Sequence, residues 1–168
     1  MKLQFTGTGT FGTKNRALTS FLINDEMLLD AGNGTVRGLQ NSGAELAKIK
    51  YLVITHFHLD HWPDALLLIM KRYVGRIGGS LTIVSPVGFE KIITDTLTTY
   101  MSDVGSAEEL LGDTKFIELT DDEIVIDSYK IVARTVLHGD CTPVSGYEIA
   151  VGDARLGFSG DSTKCSGL

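Results

Sequence analysis

The stretch Tyr51-Leu52-Val53-Ile54-Thr55-His56-Phe57-His58-Leu59-Asp60-His61 decides how this chain is read. A run of strand-formers ends in two histidines one residue apart, and alternate side chains of an extended segment project to the same side. On this reading His56 and His58 face one ion together, Asp60 shares their parity, and His61 follows as the chain turns into a helix. Two imidazoles then serve one metal, while the carboxylate and the third imidazole serve a second. Three of the chain's four histidines fall between residues 56 and 61. The alternative is a surface cluster or histidine-rich tract that binds nothing, and the strand-then-helix setting argues against it.

Working outward, Pro63 suits the first turn of a helix, where its missing N–H costs nothing, and Asp64 favours the positive end of the helix dipole. Ala65–Val74 is apolar almost all round, which predicts a buried helix packed on a sheet. Upstream, Leu3–Gly7, Thr19–Ile23 and Met27–Asp30 read as short strands. Between the first two, Gly7-Thr-Gly-Thr-Phe-Gly-Thr13 superficially resembles a phosphate-cradling loop, but it lacks the Lys-Ser/Thr ending and a following helix. A flexible loop bordering the site is the expectation. Asn33 or Thr35 opens a short helix over Val36–Gln40, Asn41-Ser42-Gly43 closes it, and Ala44–Ala47 forms a further turn.

Downstream, Leu81–Val84 reads as a strand and Phe89–Tyr100 as a helix with Phe89, Ile92, Ile93 and Leu97 at helical spacing. Ser106-Ala-Glu-Glu109 is a capping box opening a short helix that ends at Gly112. Lys115–Leu119, Glu123–Ile126 and Tyr129–Val136 form a strand series, and Tyr147–Val151 with Ala154–Ser159 flank Gly152-Asp153 as a hairpin. Sheet packed on sheet with helices outside gives an α/β protein, a four-layer α/β/β/α sandwich. Periodicity alone does not select it over another α/β layering.

With 168 residues and 43% hydrophobic content, the composition suits a single domain over 1–168. The longest apolar run, Ala65–Met70, is too short to span a bilayer, so no membrane partner is expected. Met1–Phe5 leads straight into a strand pattern, so no secretory signal is expected either. Cys141 and Cys165 make no disulfide framework, and a cytoplasmic location is the simplest reading. A net charge of −6 gives no general attraction to nucleic acid or anionic lipid.

A site with two metals needs more ligands than one motif supplies. His138 stands just past a strand end and would supply the third nitrogen that a catalytic zinc requires. Asp161, in Ser159-Gly160-Asp161-Ser162-Thr163, could bridge two ions, with Gly160 permitting close backbone approach; a helix N-terminal cap is its alternative role.

His56-x-His58-x-Asp60-His61, then His138, then Gly160-Asp161, resemble the metallo-β-lactamase superfamily in content and order. The opening Leu3-Gln-Phe-Thr-Gly-Thr-Gly9 and Leu28-Leu29-Asp30-Ala31-Gly32 are similar to the branch containing ribonuclease Z and related phosphodiesterases. The resemblance implies that His56, His58 and His138 hold a first metal, that Asp60 and His61 hold a second, and that Asp161 bridges them. It places Asp30 near the site, where hydrogen bonds orient ligands. It further implies missing C-terminal strands, helices and a last histidine, so the fold is expected to be incomplete at that end.

Two zinc ions sharing a hydroxide would attack phosphorus or a carbonyl, with Asp60 as the catalytic residue orienting the nucleophile. Manganese or iron also suit mixed nitrogen and oxygen ligands. The leading expectation is a zinc phosphodiesterase or nuclease-like hydrolase acting on a small-molecule or phosphodiester substrate. Thioester or lactone hydrolysis, an inactive metal-binding fragment and an iron redox protein are the alternatives. An incomplete sandwich should also expose an apolar sheet edge or face and self-associate.

Overall fold

The structure is a computed structural model describing residues 1–167. Its first sheet has six strands in the order β1 (Leu3–Gly7), β2 (Ser20–Ile23), β3 (Met27–Leu29), β4 (Tyr51–Val53), β5 (Leu81–Ser85) and β6 (Thr114–Glu118). The first three strands are antiparallel neighbours, and β3 to β6 run parallel. Parallel neighbours need crossovers. These are α1 (Thr35–Asn41), α2 (Pro63–Val74), and then α3 (Phe89–Tyr100) followed by α4 (Ala107–Leu111).

Strand alternation divides the core in two. Leu22, Leu28, Leu52 and Ile83 face the helices, where they pack with Val36, Leu39, Leu68, Ile69, Phe89, Ile93, Leu97 and Leu110. Their neighbours Ile23, Met27, Leu29, Tyr51, Val53 and Val84 face the other way. There they meet Tyr129, Ile131, Ala133, Tyr147 and Ile149 of a second, antiparallel sheet, ordered β10-β9-β8-β7. Its strands are β7 (Glu123–Ile126), β8 (Tyr129–Thr135), β9 (Ser145–Val151) and β10 (Ala154–Phe158). Helices, sheet and sheet are thus stacked as in the expected sandwich.

Among the described residues no helix packs on the outer face of the second sheet. That face is not apolar. Lys130, Arg134, Glu148 and Arg155 point away from the core, with Lys130 2.8 Å from Glu123 and Arg155 2.5 Å from Glu148. The driving force expected for self-association through a bare sheet face is therefore small on that face, where Val125 of β7 is 68% exposed among charged neighbours. Apolar exposure is also found on the edge strand β1, where Phe5 is 64% exposed.

Four local readings need correction. Lys115–Leu119 belongs to the first sheet, because β6 pairs in parallel with β5 rather than with the strands that follow it. The helix after the motif is not buried all round: Ala65, Leu68 and Ile69 face the sheet while Leu67, Tyr73 and Val74 are exposed. The turn placed at Ala44–Ala47 is a short 3-10 helix over Leu46–Lys48. Asp30 has left the strand, with φ 53°.

Candidate metal centre

β4 stops at Val53, so strand alternation does not aim His56 and His58. Ile54 still bonds to Val84 O at 2.9 Å, and then the chain leaves the sheet as an irregular loop. A turn closed by His61 N donating to His58 O (3.0 Å) folds this loop back, so that His61 lies beside His56 with ring centroids 4.1 Å apart. The second sheet brings the remaining groups. Ser145 N donates to Thr55 O at 2.9 Å, and Tyr147 Oη donates to Ile54 O at 3.0 Å, fastening β9 to the base of the loop. Val136 N to Val144 O (3.1 Å) closes the β8–β9 connection that carries His138. Thr163 N to Leu137 O (2.7 Å) then sets the Asp161 turn alongside.

Six predicted residues converge as a result. Ligand atoms of His56, His58 and His138 all lie within 4.8 Å of one another, and so do those of His56, His61 and Asp161. Nε2 of His138 is 3.2 Å from Nδ1 of His58. The Asp161 carboxylate stands between the two groups, with Oδ2 3.6 Å from His61 Nε2 and 3.8 Å from His138 Nε2. Asp60, nearly buried, reaches 3.8 Å from His61 Nε2 but falls outside both compact sets. No helix follows Asp161 among the described residues, which removes the helix-cap alternative.

Behind the histidines lies a hydrogen-bonded support. The buried Asp30 accepts from Thr55 N (2.9 Å) and Thr55 Oγ1 (2.9 Å), and its Oδ2 is 2.7 Å from His61 Nδ1. Thr55 Oγ1 is also 3.0 Å from His56 Nδ1. With the hydroxyl donating to Asp30, its lone pair accepts the Nδ1–H of His56, and that imidazole turns an unprotonated Nε2 toward the cluster. Burial is the main force lowering the His56 pKa to about 3, aided by His61, His58 and His138, so this ring is neutral. At His61 burial alone would lower the pKa. The hydrogen bond from Asp30 and the charges of Asp30, Asp161 and Asp60 together outweigh it and raise the value.

Sequence reading overlooked Thr55, which looks there like one more β-branched strand residue. It also overlooked Gly32, whose Cβ would overlap the Asp60 carbonyl. Gly160 adopts φ 56° and would place a Cβ 2.8 Å from Thr55 Cβ. Gly160→Ala should therefore push the Asp161 turn off Thr55 and weaken any metal binding at the Asp161 side by about 10- to 100-fold. Calorimetric titration checks this, and unchanged affinity would show the contact to be dispensable.

Two packed sheets under a helical layer, with an imidazole and carboxylate cluster at the loops between them, are the mark of the metallo-β-lactamase fold. Solved structures agree. Over 98% of this chain and 64% of theirs, the metallo-β-lactamase fold protein YhfI of Bacillus subtilis is 20% identical with a TM-score of 0.75. Short-form human tRNase Z is 21% identical with a TM-score of 0.77, over 100% of this chain and 71% of that one. The family of the anti-Pycsar protein Apyc1 matches residues 1–168, and the chain belongs to that family. Ribonuclease Z of Staphylococcus carnosus is 31% identical over 89% of this chain and 49% of its own length. The chain spans about half the length of the curated relatives it matches. No helix among the described residues is long and apolar enough to cross a membrane.

Proposed function

We propose that the chain is a zinc-dependent phosphodiesterase that holds one ion through His56, His58 and His138 and a second through Asp60, His61 and Asp161, Asp161 bridging the two. The observation that carries this reading is His56 Nε2. It is buried, unprotonated by its hydrogen-bonding, and without any hydrogen-bond partner, a costly arrangement unless something fills it. Three nitrogens on one side and mixed nitrogen and oxygen on the other suit zinc.

Bound there, zinc supplies the charge that polarises a phosphoryl oxygen and makes water acidic enough to ionise near neutral pH. The protein does the rest. Thr55 and Asp30 fix the rings of His56 and His61, so the donor atoms need no reorganisation. Asp60, besides holding the second ion, would orient the attacking water and accept its proton. Phosphodiester chemistry is favoured over thioester or lactone cleavage by the ribonuclease Z relatives and by charge beside the site. A cavity of about 700 Å³ is lined by Lys14, Arg16 and Arg37 and by no carboxylate, in a chain of net charge −6. Its wall at Asn33 and Gly34 follows Gly32, which packs on Asp60. Such a depression attracts an anionic substrate despite the bulk charge.

The test is a turnover panel on the zinc-loaded chain with bis-p-nitrophenyl phosphate, a thioester and a lactone. Chelator-sensitive cleavage of the phosphodiester is expected. Turnover of the thioester or lactone alone would replace this reading. Reloading with manganese or iron ranks the metals, and a coloured protein as purified would point to iron.

A further inference from the structure

We infer that Asp64 is a positioning residue that sets His61 for the second metal, by clamping the turn after Asp30 onto the metal loop. The inference rests on the metal reading above but makes a claim about side-chain placement that does not need the ion.

Asp64 is the second residue of α2 and is only 4% exposed. A helix-dipole role would leave such a carboxylate at the surface. Instead its Oδ2 accepts from Val36 N at 2.8 Å, and the amides of Gly34 and Thr35 face the same carboxylate. These are the opening amides of α1, whose own cap residue Gly34 offers no side chain. One helix therefore caps another. Burial raises the Asp64 pKa, and the amides of α1 with the charge of Arg37 pull part of it back.

The clamp sits where it matters for the site. Ala31 N donates to His61 O at 2.6 Å, and Asp64 N donates to Ala31 O at 2.9 Å, so residue 31 is stitched to both ends of the 61–64 segment. Thr35 Oγ1 donates to Gly32 O at 2.6 Å and tightens the same turn. Asp30, immediately before it, is a non-glycine residue at φ 53°, a conformation that persists only when its surroundings impose it. From there it holds His61 Nδ1 and both polar groups of Thr55. Without the Asp64 carboxylate, the buried Val36 amide loses its acceptor and the 31–36 segment must shift to find another. Asp30 moves with it. His61 then loses the partner that fixes its tautomer, while His138, carried by the β8–β9 connection, keeps its place.

Two measurements on the full chain separate this from a merely stabilising cap. In the metal-free protein, the Nδ1 proton of His61 should give a protected, downfield NMR signal through its bond to Asp30. Asp64→Ala should lose that signal. Asp64→Asn, which keeps an acceptor oxygen, should retain it in part and serves if the alanine variant does not fold. Ser106→Ala, which removes the distant capping box of α4, lowers stability without touching the site and should retain it fully. Zinc titration should show the weaker of two binding events reduced about 10- to 100-fold in the Asp64 variants, with a smaller loss at the tighter event, where His56 alone is reached through Thr55. A wild-type His61 signal in both Asp64 variants overturns the inference, as does an equal loss at both zinc positions. If wild-type protein takes up no zinc, the metal reading fails, and the imidazole signal still decides the role of Asp64.

Discussion

Replacing His56 with alanine should reduce bound zinc to background and abolish zinc-dependent hydrolysis. His56 completes the three-nitrogen set with His58 and His138, and its ligand atoms also lie within 4.8 Å of those of His61 and Asp161, so its loss strips the first ion and loosens the second. Thermal unfolding gives the sharper test. In the metal-free wild type, the buried and unpartnered Nε2 costs about 1–3 kcal/mol. That penalty disappears in the variant, although the cavity left by the ring offsets part of the gain. The metal-free variant should therefore melt close to the metal-free wild type. Zinc should raise the melting temperature of the wild type, because a ligand that binds only the folded state stabilises it, and should leave the variant unmoved. A variant that still binds zinc in full stoichiometry would remove His56 from the centre.

Asp161→Ala should separate binding from chemistry. The carboxylate lies between His61 and His138 at 3.6 and 3.8 Å, and its side chain is 45% exposed, so little packing is lost with it. The His56, His58 and His138 set does not include it, and one zinc should stay bound. Hydrolysis of bis-p-nitrophenyl phosphate should fall by about 100- to 1,000-fold, the usual cost of removing one preorganised electrostatic group from an active site. Metal analysis alongside the rate assay reads both effects. An Asp161→Ala protein that holds two zinc ions at wild-type rate would show that the carboxylate bridges nothing.

Local chemistry made much of this protein legible in its sequence. His56, His58, Asp60 and His61 lie so close along the chain that any compact backbone keeps them together. The alternation of Leu22 with Ile23, and of Leu28 with Met27 and Leu29, fixes two buried faces on one sheet, because side chains of a strand point alternately. The capping box at Ser106 and Glu109 forms as read, with both reciprocal bonds present, since its partners are three residues apart. His138 and Asp161 were candidates from their places at strand ends and from the need for further ligands, and the resemblance to a known superfamily then gave them their roles.

Tertiary structure decided what depends on direction across long separations. His138 meets His58 over 80 residues of chain because β9 is fastened to the metal loop through Thr55 and Ile54. The imidazoles are aimed by a loop and its turn, not by strand alternation, since β4 ends before them. Thr55 and Asp64 read as an ordinary strand residue and an ordinary helix-start residue. Hydrogen bonds act over about 3 Å and along fixed directions. Only when Asp30, His56 and the start of α1 are folded around them do these two side chains acquire their work in the site.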